Sequence, residues 1–282
     1  MIMDIQVVKR EFESKLRGLL VKLESSISTS KQWNIKGFID MYQTIFTISS
    51  DTKVISKVME LQMYPMLQEF ADDNGYDLVL PDKQNWYPDM TFVKQDDKKI
   101  IIAVDIKTSY RDDKDENFCN GFTLGSHGKY FQDRSSKKNI QFPYEQYIAH
   151  YCLGVIYSRG HNSDERQKYH ISDLPNISSV IRELTFFLQE KWKIASDTPG
   201  SGNTAHIGSI TYIPDILSGN GMFVNLGEEI FDDYWINYRK IEVFVTHKGK
   251  RKKVKVKSLK EYAKYRKIES TQINPKKTKK TV

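Results

Sequence analysis

The feature that most constrains this chain is the apolar run Ile100–Val104, which leads directly into Asp105, Ile106 and Lys107. Such a run is typical of a strand that is buried on both faces. Charged side chains at the end of a buried strand are costly unless a partner compensates them. Residues two apart share a face of a strand, so Asp105 and Lys107 are predicted to point together and Ile106 to the other side. The sequence therefore predicts a charged site on a central strand.

A second strand is predicted over Tyr87–Val93, followed by a polar turn and the strand Lys99–Thr108. With a three-residue loop at 96–98, the antiparallel register places Asp89 opposite Asp105, at roughly 5 Å between backbones; a two-residue loop would shift it by one position. Carboxylates this close repel each other unless a cation lies between them, and their oxygens suit magnesium. The alternative is an exposed hairpin with solvated charges, against which the apolar run argues.

Several separated segments around these acids stand in the order and spacing of a known family. They are SDTK (50–53), NWYPDMTF (85–92), AVDIKTSY (103–110), FTLG (122–125), FPYEQYIAH (142–150), PGSGNT (199–204) and IGSI (207–210). From about Ser50 to Tyr238 the chain resembles the type II restriction endonucleases of the PD-(D/E)xK superfamily, and among them the EcoRV family. The resemblance implies an α/β (α+β) fold with a central mixed β-sheet flanked by helices and a C-terminal DNA-recognition lobe.

The resemblance assigns roles to four residues. It implies that Asp89 and Asp105 bind the metal ion, that Lys107 is the catalytic lysine, and that Glu60 is a third catalytic and metal-binding acid. Glu60 lies in a helix predicted over Asp51–Asn74. Taken from its own neighbourhood alone, without the resemblance, Glu60 is better interpreted as a solvated glutamate on a helix surface.

The resemblance also implies DNA contacts. A glycine-rich loop, which by itself is an ordinary turn, resembles the recognition loop that enters the major groove. There the amide of Asn203 could pair with adenine, and the methyl group of Thr204 could touch that of thymine. Ala205 and His206 depart from the family pattern, which has Thr and Asn. The expected DNA contacts are Gly200, Ser201, Gly202, Asn203 and Thr204 in this loop, Lys83, Gln84 and Asn85 near the minor groove, and Lys53 and Ser109.

The net charge of +7 is concentrated at one end of the chain. From Arg239 onward there are 17 Lys or Arg against 3 acids, a net +14, whereas the preceding residues hold 26 against 33, a net −7. The closing NPKKTKKTV is predicted to be disordered. The basic end either solubilises the protein or strengthens salt-sensitive DNA binding through counterion release.

The organisation predicted is an N-terminal amphipathic helix and extension (1–35), a dimerisation and catalytic core (36–160), a DNA-recognition subdomain (161–240) and a basic tail (241–282). The helix covers Asp4–Leu23, and a second covers Glu228–Lys240 with Trp235 in the core. Trp33–Ser49 is ambiguous between helix and strand. Cys119 and Cys152 indicate no disulfide framework, and the histidines lack zinc-ligand spacing. Without a membrane span or signal pattern, the expected location is the cytoplasm.

The function expected from the resemblance is magnesium-dependent cleavage of double-stranded DNA within GATATC, leaving blunt ends. A symmetric target implies a homodimer, and protection of host DNA implies a cognate methyltransferase. Two alternatives remain at this point: a structure-specific repair or junction nuclease of the same superfamily, and a catalytically silent DNA-binding protein. An RNA-binding protein is a weaker third, because no RNP-like aromatic motif is present.

Overall fold

The computed structural model describes residues 4–160, 167–200, 204–247 and 250–278. Within these ranges the chain forms five α-helices, namely α1 (Ile5–Ile27), α2 (Thr52–Asp73), α3 (Ile213–Ser218), α4 (Glu228–Asn237) and α5 (Leu259–Arg266). The strands in the same ranges are β1 (Ser28–Thr29), β2 (Gln32–Trp33), β3 (Gly37–Ile39), β4 (Thr44–Thr47), β5 (Tyr76–Val79), β6 (Met90–Lys94), β7 (Ile101–Tyr110), β8 (Thr123–Ser126), β9 (Tyr147–Arg159), β10 (Lys168–His170), β11 (Ile181–Glu190), β12 (Ala195–Pro199), β13 (His206–Ser209), β14 (Glu242–His247) and β15 (Lys250–Lys255).

Seven strands form the central sheet, in the order β1-β2-β11-β9-β7-β6-β5. Strands β7 and β9 run parallel, and the other neighbours pair antiparallel. Strand β7 lies near the middle and is buried from Ile101 to Ile106. The expected mixed sheet flanked by helices is therefore confirmed.

Helices α1 and α2 cover one face of this sheet. Leu16, Leu23 and Phe12 are buried on α1, and the Phe12 ring lies edge-on to Phe92 of β6 at 5.2 Å and to Phe70 of α2 at 5.7 Å. The apolar positions recur at helical spacing, which explains why α1 presents one continuous stripe to the sheet. This helix continues to Ile27, four residues beyond the predicted end.

The C-terminal lobe packs on the opposite face. It contains the three-stranded sheet β12-β13-β8 and helices α3, α4 and α5. Trp235 of α4 is fully buried among the aromatic side chains of this lobe, as predicted for a core residue. Helix α4 ends at Asn237, three residues before the predicted end.

The basic end of the chain is more structured than predicted. Strands β14 and β15 form a hairpin, and α5 buries Leu259, Tyr262 and Ala263 against the lobe. The predicted disorder of NPKKTKKTV is wrong for residues 274–277, where the side chains of Asn274, Lys276 and Lys277 find polar partners on the lobe. Residues 279–282 lie outside the described ranges.

Trp33–Ser49, ambiguous in the sequence, forms short strands. Strands β3 and β4 join β10 in a separate three-stranded sheet, with Phe38 paired to Phe46 and Ile39 to Ile45. No helix in the described ranges is long and apolar enough to cross a membrane.

Candidate active site

The pairing of β6 with β7 brings Asp89 next to Asp105. Met90, the first residue of β6, pairs with Val104, so Asp89, which directly precedes β6, lies beside Asp105. The Asp89 amide donates to Asp105 Oδ1 at 3.4 Å. The Lys94 amide bonds to the carbonyl of Ile100, which closes the turn in the register of a three-residue loop. The predicted register is thus confirmed. The strands adopt it because it aligns their apolar faces.

Three oxygen atoms converge on the ε-ammonium group of Lys107. It lies 2.7 Å from Asp105 Oδ2, 3.2 Å from Asp89 Oδ2 and 3.2 Å from the carbonyl oxygen of Ile106. The carboxylate of Asp89 also accepts a hydrogen bond from the Ile106 amide at 2.8 Å. The local backbone of β7 thus fixes both the acids and the lysine.

Burial and mutual charge give these groups unequal proton affinities. Burial, and then the charge of Asp89, raise the pKa of Asp105 to about 7, although Lys107 opposes the shift. Burial would also raise the pKa of Asp89, but Lys107 and the Ile106 amide hold it below its ordinary value. Burial lowers the pKa of Lys107, yet the two carboxylates outweigh it, so that this pKa is raised. The site therefore favours a cation between the two carboxylates.

The alternation of β7 sorts its side chains as predicted. Ile106 packs into the core beneath α1 and α2, whereas Asp105, Lys107 and Ser109 share the opposite face. The hydroxyl group of Ser109 is buried and finds no hydrogen-bond partner among the described residues. It lines the same groove as Asp89 and Lys107. A buried hydroxyl without a partner is unusual and suits a site that accepts a polar ligand.

Helix α2 forms one wall of this groove, which has a volume of about 540 Å³. Asp51 caps the helix by accepting hydrogen bonds from the amides of Lys53 and Val54. Lys53 and Glu60 both line the groove, with the Glu60 carboxylate 2.6 Å from the ammonium group of Lys57. Within the residues that the structure describes, no three acidic, His or Cys side chains form a metal-binding group. Glu60 shares the groove without joining the two aspartates.

An adjoining groove of about 390 Å³ reaches the predicted DNA-contact segments. Gln84 and Asn85 line it together with Asp89, Asp105 and Lys107. Lys83 is exposed, with its ammonium group 5.3 Å from the ring centre of Trp86. The predicted minor-groove segment therefore borders the two aspartates.

Strands β12 and β13 present the predicted recognition loop. The Gly200 amide bonds to the carbonyl of His206 at 2.9 Å, and the Thr204 carbonyl lies 2.9 Å from His127 Nε2. A Cβ at Gly200 would stand 2.7 Å from Thr123 Cγ2, so a larger residue at this position would require the Thr123 side chain to shift. Ser201, Gly202 and Asn203 lie outside the described ranges, and their DNA contacts stay predictions.

The donor atoms fit a hard divalent cation. Carboxylate and carbonyl oxygens are the ligands that magnesium prefers, and Asp89, Asp105 and the Ile106 carbonyl supply them around one point that already attracts an ammonium group. Cys152 is buried, and burial raises the pKa of its thiol. These oxygen atoms, and not the Cys152 thiol, are therefore the groups of this site that suit a metal ion.

Sequence reasoning missed several residues that line the grooves, among them Lys57, Thr123 and Ser126. Lys57 follows Lys53 by one helical turn, and that spacing could have shown that it shares the groove-facing side of α2. Thr123 and Ser126 line the grooves from β8. Only the pairing of β8 with β13 reveals their position, because it joins residues far apart in the chain.

Comparison with known proteins shows which family this chain resembles. The sequence matches the family described as "Restriction endonuclease EcoRV" over residues 29–267. It is 38% identical over 213 residues to the type II restriction enzyme EcoRV of Escherichia coli, covering 75% of this chain and 84% of that protein. The paired aspartates, the adjacent lysine and the grooves all lie inside the matched region. The chain belongs to the EcoRV family of type II restriction endonucleases, which hydrolyse double-stranded DNA.

Proposed function

We propose that this enzyme is a magnesium-dependent homodimer that cuts both DNA strands within GATATC and leaves blunt ends. The observation that carries the proposal is the convergence of Asp89, Asp105 and the Ile106 carbonyl on the Lys107 ammonium group, at distances of 2.7 to 3.2 Å. This arrangement unites oxygen ligands with a fixed positive charge beside an open groove. Metal-assisted hydrolysis of a phosphodiester can use both features.

Asp89 and Asp105 would hold the Mg²⁺ ion, with Glu60 as a further acid on the groove wall. When bound, the ion supplies an activated water and neutralises charge on the phosphate. Lys107 would donate to the non-bridging oxygens of the scissile phosphate, because its ammonium group is held in place by strand β7 and faces the groove. Lys53 and the Ser109 hydroxyl would contact phosphate oxygens along the same groove.

Target recognition would reside in Gly200, Ser201, Gly202, Asn203 and Thr204. This segment carries the family pattern GSGNT, and an asparagine amide reads adenine in the major groove. Lys83, Gln84 and Asn85 would approach the minor groove and phosphates, where they affect affinity more than sequence choice. Ala205 and His206, which depart from the family pattern, follow the base-reading residues, so we retain GATATC as the proposed target.

The second proposal about assembly rests on the small sheet β10-β4-β3. Its strands and turn expose Phe38, Ile39, Met41 and Tyr42, with exposed fractions of 52%, 57%, 85% and 74%. A cluster of exposed apolar side chains is typical of a protein interface. A second copy of the chain is the natural occupant, since a two-fold palindrome is cut most simply by a two-fold dimer. The resemblance to the family supports a dimerisation role for this segment.

The basic end and the cellular partner complete the proposal. The excess of positive charge from Arg239 onward would bind DNA phosphates without sequence preference and let the enzyme slide toward its target. An enzyme that cuts GATATC also requires a methyltransferase that protects the same sequence in the host. We propose that such a methyltransferase acts separately and is not a bound subunit.

The experiment that tests the proposed chemistry is digestion of supercoiled plasmid with Mg²⁺, with EDTA and the Asp105→Asn variant as controls. The wild-type enzyme should give discrete linear fragments that disappear in EDTA. The Asp105→Asn protein keeps the shape of the side chain and removes its charge, so it should bind DNA and cut at least about a hundredfold more slowly. Undiminished cutting by this variant would refute the assignment of the site.

A further inference from the structure

The C-terminal segment from Ile268 to Lys277 lies beyond the family match, which ends at residue 267. It nevertheless packs against the lobe. Ile268 and Ile273 are partly buried against the same hydrophobic core as α4, and a short 3₁₀ turn at Ser270–Gln272 joins them. We call residues 268–277 the C-terminal strap.

Asn274 attaches the strap to the connection between α3 and α4. Its side-chain amide donates to Asn220 Oδ1 at 2.7 Å and to the carbonyl of Gly221 at 3.1 Å. Its side-chain oxygen accepts a hydrogen bond from Asn225 at 2.8 Å. Both ends of one amide are thus engaged, which fixes its orientation and position.

Two lysines continue the attachment. Lys277 lies 2.9 Å from the carboxylate of Asp215, a residue of α3 that is only 9% exposed, and 4.3 Å from the ring centre of Tyr212. Lys276 donates to the hydroxyl of Thr198 at 3.0 Å. The strap therefore contacts α3 and β12 at once.

Strand β12 is the element that leads into the recognition loop. Thr198 stands two residues before Gly200, and the opposite side of the strand is held by α5, since Asp197 accepts a hydrogen bond from the Leu259 amide at 3.1 Å. The strand is consequently held between α5 and the strap. Its direction sets where the loop leaves the lobe.

We propose that the C-terminal strap positions the recognition loop, and that discrimination between target sequences depends on Asn274, Lys276 and Lys277 although they read no base. This inference rests on the proposed function of the loop. Bidentate base contacts tolerate displacements of only a fraction of an ångström. An unanchored β12 would lower cutting at the correct sequence, where the contacts must form, and leave slow cutting at other sequences unchanged.

The test compares the full-length wild-type enzyme with the variant Asn274→Ala/Lys276→Met/Lys277→Met. The control is Lys260→Met/Lys264→Met, which removes the same charge from exposed positions of α5. For each protein, kcat and KM are measured on a duplex bearing the wild-type enzyme's mapped cut sequence and on one with a single changed base pair. The strap variant should lose about tenfold or more in the ratio of the two kcat/KM values, mainly through kcat at the correct site, and the control should not.

Two results would overturn the proposal. If both duplexes are cut more slowly by the same factor, with a weaker salt dependence, the lysines bind phosphates and do not position the loop. If only the melting temperature falls and the ratio is preserved, the strap merely stabilises the fold. The single variant Thr198→Val, which removes one partner and no charge, should also reduce the ratio.

Hydrogen exchange separates this inference from the proposed function. Amides of β12 and β13 should exchange faster in the strap variant than in the wild type or the control, whatever DNA the enzyme cuts. If the wild type makes no discrete cuts, the proposed target recognition fails and the exchange result alone decides whether the strap holds β12. Unchanged exchange in β12 would refute the strap's role.

Discussion

The ammonium group of Lys107 lies 2.7 Å from Asp105 Oδ2, on the same face of strand β7 and two residues along it. The lysine thus supplies positive charge that two converging carboxylates require. Its removal leaves those carboxylates without their cation. Either a metal ion or Lys107 can therefore balance the charge of the carboxylates and stabilise the fold, but neither can replace the other in catalysis.

The first prediction concerns Lys107→Met. Cleavage should fall by about a hundredfold to a thousandfold, because a fixed donor to the phosphate is lost. The melting temperature should rise more on addition of Mg²⁺ than it does for the wild type, because the two carboxylates then depend on the ion alone. Plasmid cleavage and thermal melting measure the two effects. Lys99→Met, at an exposed position in the preceding turn, is the control, and equal Mg²⁺ shifts in all three proteins would contradict the account.

The second prediction concerns the proposed dimer face. Ile39→Asp places a charge in the exposed apolar patch and should convert the dimer to monomer in sedimentation at micromolar concentration. Nicking would then replace double-strand cutting. The control is Val21→Asp, which changes a residue of α1 that is 74% exposed and lies outside the patch. If the Ile39→Asp protein sediments in the same way as the wild type, this interface is refuted.

The third prediction concerns Lys191, a buried cation behind the active site. Its ammonium group lies 4.7 Å from the ring centre of Tyr144 and 5.1 Å from that of Tyr87, without a hydrogen-bond partner in the described ranges. Burial lowers its pKa from 10.5 to about 8. Asp232, Asp105 and Glu228 oppose that shift, and Arg134 adds to it.

The unfolded chain therefore takes up a proton before the folded protein does, as the pH falls from 10.5 to about 8, and folding loses stability across that range. The Lys191→Met variant has no ammonium group at this position, so it does not lose stability in this way as the pH falls. The difference in free energy of unfolding between variant and wild type should be about 2–3 kcal/mol more favourable to the variant at pH 7 than at pH 10. Urea titrations at the two pH values measure it, and an equal difference at both would show that Lys191 is not desolvated.

The fourth prediction concerns the basic end. Lys255→Gln/Lys257→Gln should reduce the slope of log affinity against log salt for nonspecific duplex by up to about 2, since each phosphate contact contributes about 0.9. Specificity should not change, because phosphate contacts carry no direct sequence information. Lys15→Gln/Lys22→Gln removes equal charge from α1 and should leave the slope unaltered. Fluorescence anisotropy at several salt concentrations distinguishes the two.

The catalytic hairpin was predictable from sequence because local rules determine it. The apolar run before Asp105 indicated a central strand, and strand alternation with a three-residue loop placed Asp89, Asp105 and Lys107 together, as the structure confirms. The start of α2 was predictable for the same reason, since Asp51 caps the helix locally.

Features that depend on distant pairing were not predictable in this way. Thr123 and Ser126 reach the grooves only through the pairing of β8 with β13, some 80 residues further along the chain. The predicted disorder at Asn274 was wrong because composition was the only guide, and composition cannot show that the lobe offers hydrogen-bond partners to its side chain.

The most direct test of the central claim is sequencing of the fragment ends after Mg²⁺ digestion of a plasmid with a known sequence. We expect the wild type to produce blunt ends within GATATC and the Asp105→Asn variant to produce none. Discrete ends at another sequence would contradict the proposed target and move attention to Ala205 and His206. Ends that follow DNA structure without a common sequence would contradict site-specific recognition itself.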